Sequence, residues 1–106
     1  MERFRRPKTA WFVLLDGGIV VLTILAVSRP ADAAIRRRVP LPPRWAVHAL
    51  LAGTAVIHVS EAAYAGRTAR RHGLPAGPWA RQTFAVGFPS LIELGRVRRE
   101  VAATSA

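Results

Sequence analysis

Residues Trp45–Ala65 read WAVHALLAGTAVIHVSEAAYA, 21 residues with no lysine or arginine and with Glu61 as the one charge. As a helix this stretch is roughly 31 Å long, which matches the ~30 Å hydrocarbon core of a bilayer. Its flanks fit the same reading. Upstream lie Pro40, Pro42, Pro43 and Arg44, and downstream Arg67, Arg70 and Arg71 follow at once. An apolar segment bordered by basic residues is the pattern of a helix that crosses lipid.

Working outward, Trp11–Val27 reads WFVLLDGGIVVLTILAV, seventeen residues with Asp16 as the one charge. Trp11 and Phe12 are placed for the membrane interface, where such rings are favoured. Ser28–Arg44 then carries four prolines and the run Arg36-Arg37-Arg38, and reads as a loop. Gly73, Pro75, Gly77 and Pro78 make a second turn. Trp79–Leu94 is the weakest apolar segment. It contains Arg81, Pro89 and Glu93, and its uncharged part is only Gln82–Ile92. A proline is tolerated in a membrane helix whose neighbours satisfy the freed carbonyl, so this segment is read as a third span. Val101–Ala106 reads as a frayed tail. The expected fold is therefore all-α: one membrane domain, 1–106, built as a small bundle of three transmembrane helices over 11–27, 45–65 and 79–94.

Composition supports this class. Apolar residues make up 51% of the chain, yet 16 Lys and Arg stand against 6 Asp and Glu, for a net charge of +10. The charges lie in blocks between apolar runs instead of mixing along the chain. Lys8 is the only lysine, and with so much Ala, Gly and Pro this suggests a GC-rich coding sequence. The expected location is an integral, multi-pass one, in the plasma membrane for a bacterial chain. Cysteine is absent, which removes disulfides, thiolate nucleophiles and Cys-based metal sites. The first segment also has the outline of a secretory leader, with a basic head, an apolar stretch and Ala31-Asp32-Ala33. Asp16-Gly17-Gly18 interrupts that outline, so a retained span is favoured. With three spans, the head and second loop hold eight basic residues, and the first loop and tail hold the other eight. Orientation is left open by that tie.

Depth is still readable. Asp16 lies ~7 Å below the side that holds the head, Glu61 ~6 Å, His58 ~10 Å, and Gln82 and Thr83 ~5 Å. His58, Glu61 and Tyr64 are spaced by threes and share a helix face. Asp16, His58, Glu61, Tyr64, Gln82 and Thr83 thus form a candidate polar cluster, because ionisable groups in hydrocarbon are costly and turn toward partners. One reading is a buried site for protons or a ligand. The competing and favoured reading is a structural hydrogen-bond cluster, with Glu61 paired to Arg81 or an arginine of the second loop. His48 is expected to face Glu93. His58, Glu61 and Asp16 could offer a metal three ligands, but a lone H-x-x-E is weak, so neither a metal nor another cofactor is called for.

The favoured function is a non-enzymatic scaffold, assembly or small-ligand-binding protein. The alternative is a membrane enzyme acting on a lipid-like substrate, with Glu61 and Asp16 as acid and base and His58 assisting. A cavity opening to lipid at the polar layer would favour the enzyme, and tight packing the scaffold. The expected partners are a bilayer with anionic headgroups, and a membrane protein or a second copy of the chain. Nucleic acid is not expected, since the arginines border apolar spans. Ala49 and Gly53, and Ala62 and Gly66, are pairs of small residues that permit close helix approach.

One further pattern stands in Val56–Leu94, VIHVSEAAYAGRTARRHGLPAGPWARQTFAVGFPSLIEL. It joins H-x-x-E-x-x-Y (His58, Glu61, Tyr64) to Arg71, Gly73 and Trp79, and then to Q-T-F-x-x-G-x-x-S-L (Gln82, Thr83, Phe84, Gly87, Ser90, Leu91). This resembles the transmembrane protein 254-like family of small multi-span membrane proteins, with Pro89 as a departure. The resemblance implies membrane residence and brings no activity with it.

Overall fold

The computed structural model describes residues 3–105, and every regular element among them is a helix. The order is α1 (Thr9–Val27), α2 (Arg29–Arg36), α3 (Arg44–Arg71), α4 (Ala76–Val86) and α5 (Phe88–Ser105). Helices α1 and α3 are long and apolar enough to cross a membrane, and only 11% and 6% of their most apolar stretches are buried. The core helix of a soluble protein would hide those side chains. Here Leu14, Val20 and Val21 of α1 and Leu50, Val56 and Ile57 of α3 stand exposed. A helix that is apolar all round and unburied by protein is suited to lipid.

These two helices meet at one end, where Leu25 and Ala26 pack on Val47, with Leu22, Leu41 and Leu51 beside them. The last carbonyls of a helix have no intrahelical donor. Arg44 supplies two, donating to the carbonyls of Leu25 and Ala26 at 3.1 Å each, and His48 Nε2 lies 2.8 Å from the Ala26 carbonyl. His48 therefore serves the end of α1 and does not face Glu93, whose carboxylate pairs with Arg96 at 2.9 Å.

Ser28–Arg44 is not the plain loop expected. Ser28 caps α2 by accepting from the Ala31 amide at 3.3 Å, and Pro30 sits in the first turn. There a fixed φ helps a helix and the missing N–H costs nothing. Asp32 of α2 is buried and takes two hydrogen bonds from Arg36, at 2.9 and 3.1 Å, with Arg44 at 3.4 Å. The Arg36 hydrogen bonds, helped by the charges of Arg36 and Arg44 and opposed by burial, hold this carboxyl below its ordinary value of 3.8. A depressed value contributes stability above the ordinary carboxylate range, and the contribution is lost as pH falls through the depressed value. Asp32→Asn is expected to lower the melting temperature of the detergent-solubilised protein at neutral pH and to remove that part of the acid-induced decline. Parallel pH curves for the two proteins would refute it.

At the other end α3 runs to Arg71, well beyond the apolar stretch, and closes in a Schellman turn. Gly73 takes φ +68°, its amide bonds to the Arg70 carbonyl, and the Leu74 amide bonds to the Ala69 carbonyl. Helix α4 then packs back along α3, with the Ala80 Cβ 3.5 Å from where a side chain on Gly66 would begin. Gly66 thus marks a real close approach, whereas a β-carbon on Gly53 would meet no other part of the fold within 4 Å. The segment expected to be a third spanning helix over 79–94 is two helices broken at Gly87, whose φ is +75°. Helix α5 folds back on α4: Thr83 and Gln82 bond to Ser90, and Leu94 and Val97 join Trp79, Leu74, Ala65 and Ala69 in the main core. The expected frayed tail is also corrected, because α5 continues to Ser105 and Val101 packs against that core. Ala106 lies outside the described residues.

Candidate functional site

Two kinds of site were folded into one in the sequence reading, and the structure separates them. Gln82 and Thr83 are buried inside the α4–α5 hairpin. The Thr83 hydroxyl lies 2.8 Å from Ser90 Oγ, and the Gln82 amide donates to Ser90 Oγ at 3.1 Å and to the Arg5 carbonyl at 2.9 Å. Beside them the indole of Trp79 donates to the Arg3 carbonyl at 2.8 Å and meets the Phe4 ring edge-on at 5.1 Å. The residues before α1 therefore strap the hairpin. These groups satisfy each other inside the hairpin and do not line the groove between α1 and α3. Tyr64 is exposed and does not line the groove between α1 and α3.

Asp16, His58 and Glu61 lie along a groove between α1 and α3 that the hairpin tip closes from one side, His58 shared by its two lobes, Asp16 in one and Glu61 in the other. Its larger lobe, about 390 Å³, is lined by Asp16, Ile19, Leu51, Thr54, His58 and Phe84. A second lobe of about 250 Å³ shares Ile19, Thr54 and His58 and adds Glu61, Gly87 and Phe88. The groove lies between α1 and α3, which touch at their far end; toward its start α1 also packs on α4, and the Trp11 ring lies edge-on to Phe88 at 5.4 Å. His58 Nδ1 lies 2.8 Å from the Thr54 carbonyl. A carbonyl only accepts, so Nδ1 carries a proton, and in the neutral ring Nε2 is then an acceptor. A β-carbon on Gly87 would lie 3.3 Å from His58 Nε2 and 3.5 Å from Glu61 Oε1. Both polar atoms thus border the place where Gly87 has no side chain.

Among the described residues neither Asp16 nor Glu61 has an ion-pair partner, and the expected pairing of Glu61 with Arg81 is not formed. No three His, Asp or Glu side chains among the described residues converge closely enough to hold a metal ion. The sequence reading named Gly87 only as a position of the family pattern and gave it no place at the site, although a glycine midway between Thr83 and Ser90 was the visible signal of a break. It also missed the Asp32–Arg36–Arg44 cluster, which only the folding of α2 brings together.

Comparison with family models finds a match over residues 39–96 to the family described as transmembrane protein 254. That is more than half of the chain. The protein belongs to the transmembrane protein 254 family. Curated proteins and solved structures gave no match. The matched residues of this membrane protein family run from the turn before α3 to the middle of α5. They include His58, Glu61 and Gly87 and leave out α1, so the third polar group of the groove, Asp16, lies outside the family match.

Proposed function

We propose that this chain is a multi-pass membrane protein that binds a small amphiphile in the α1–α3 groove. The observation that carries this reading is the pairing of an apolar cleft with two carboxylates that lack an ion-pair partner among the described residues. Ligand sites are typically apolar hollows of ~300–1,000 Å³ with a few convergent polar groups. An ionised carboxylate within a bilayer is expensive unless paired, so Asp16 and Glu61 suit a guest that brings a cationic or hydrogen-bond-donating head. His58 Nε2, between them, offers a further acceptor. The alkyl part of the guest would lie along Ile19, Val20 and Leu51. For a bacterial chain the location is the plasma membrane.

The opening to lipid also meets one condition for the enzyme alternative. Acid–base chemistry further needs both carboxylates aimed at one reacting atom. Asp16 lines one lobe and Glu61 the other. Binding is the better-supported reading.

A single-chain alkylamine is expected to bind the purified protein in nanodiscs about ten-fold or more tightly than it binds Glu61→Gln, since a hydrogen bond to a charged group contributes about 1.5–3 kcal/mol. The alkyl carboxylate of the same length should show no such difference. Equal alkylamine affinity for wild type, Glu61→Gln and Asp16→Asn would refute the site. Both variants should accumulate in the membrane like wild type, because no ion pair is broken by either change.

A further inference from the structure

We infer that the third apolar segment does not cross the bilayer, and that both termini, the turn after α3 and the α4–α5 hairpin form one basic face seated on the anionic, cytoplasmic leaflet. Three observations meet here. First, the hairpin reverses. Pairings run in opposite order along its arms, Gln82 with Ser90 near the break and Trp79 with Leu94 and Val97 further back. From Ala76 to Val86, α4 is 11 residues, or ~16 Å, about half a hydrocarbon core.

Second, α3 overshoots. Helix α1 has 19 residues, ~28 Å, and α3 has 28, ~42 Å. The two start level at their shared end, where Arg44 holds the last carbonyls of α1. The final turns of α3 therefore project beyond Thr9, and it is on them that Trp79, Leu94 and Val97 build the main core. That core has the make-up of a soluble fold, with buried Thr68, Gln82, Thr83 and Ser90 among its apolar side chains. The molecule is 59 Å long, roughly twice the hydrocarbon thickness, which leaves room for such a head.

Third, the fold breaks the tie in charge. The tail packs beside the start of the chain: Glu100 accepts from Arg5 at 3.1 Å, and Val101 and Phe4 share one cluster. Arg96, Arg98 and Arg99 thus move to the side of the head, and eight against eight becomes eleven against five. Leaving the tail out still gives eight against five. Of those five, Arg36 and Arg44 are already committed to Asp32. An excess of Lys and Arg marks the cytoplasmic side, where each basic residue near anionic lipid gains ~1 kcal/mol.

The chain has no cysteine, so single-cysteine labelling reads topology without background. Thr9→Cys, Val39→Cys and Ala103→Cys all fall at exposed positions. In intact bacterial cells expressing the full chain, a membrane-impermeant maleimide should label Val39→Cys and leave the other two unlabelled until the cells are opened. Labelling of Ala103→Cys but not Thr9→Cys would mean that the third segment spans, and would overturn the inference. Labelling of both termini with Val39→Cys protected would overturn the orientation. Thr104→Cys and Pro40→Cys repeat the test should a first variant fail to accumulate.

Discussion

Truncating Trp79 to alanine is expected to cost about 3–5 kcal/mol, the usual range for emptying a large aromatic site in a packed core. The indole is fully buried and is the largest such side chain in the molecule. Around it gather Ala65 and Ala69 of α3, Leu74 of the turn, Leu94 and Val97 of α5, and Phe4 from the strap. One substitution thus loosens four parts of the chain together. The readout is the midpoint of thermal unfolding in detergent, with Ile92→Ala as an exposed control expected to change little. Trp79→Phe separates packing from polarity. It keeps most of the ring but loses the bond to the Arg3 carbonyl, so a loss of about 1 kcal/mol is expected, with faster proteolysis of the first eight residues. An unchanged midpoint for Trp79→Ala would mean that the hairpin is not packed on α3 as described.

The second large effect is expected at Gly87. Its φ of +75° with ψ of −134° is a conformation that residues with a β-carbon rarely adopt, and strain of this kind is on the order of 1–3 kcal/mol. Space is short as well, because a β-carbon would meet His58 Nε2 at 3.3 Å. Gly87→Ala should therefore destabilise the hairpin and push His58 away from the second lobe. The two contributions separate in a double-mutant comparison. Adding His58→Ala should relieve the steric part and leave the backbone part in place. If Gly87→Ala melts like wild type, the reversal at this residue is wrong, and a continuous helix through Phe88 becomes the better description.

The two helices long and apolar enough to cross a membrane were legible because lipid acts on every side of a helix alike, so length and apolarity alone announce Trp11–Val27 and Trp45–Ala65. The hairpin was legible only in part. Gly87 and Pro89 look the same in a kinked membrane helix as in a reversal, and hydropathy does not tell these apart. The better signal was the length of Gln82–Ile92, eleven uncharged residues, which suits a buried or re-entrant segment more than a span. Depth counting took 79–94 as one straight helix, which the break at Gly87 overturns. It set Gln82 and Thr83 beside Asp16 and His58, and it set Glu93 opposite His48. Asp16, His58 and Glu61 lie on α1 and α3 and so were untouched by that assumption: Asp16 and His58 line one lobe of the groove, and His58 and Glu61 the other. Helix α2 went unseen because its proline stands at the one place in a helix where proline is welcome.

Two rods pinned at one end part most easily at the other. The pin is the Arg44 guanidinium on the last carbonyls of α1 with Leu25, Ala26 and Val47 around it, whereas at the far end α1 itself is held by apolar packing on α4 and by Trp11 against Phe88, with the polar bonds lying in the strap before it. A bulkier guest could widen the cleft by tilting α1 about that pivot without breaking a polar bond along its length. Tail length would then matter little to affinity, and the guest's polar end would set which molecules are chosen.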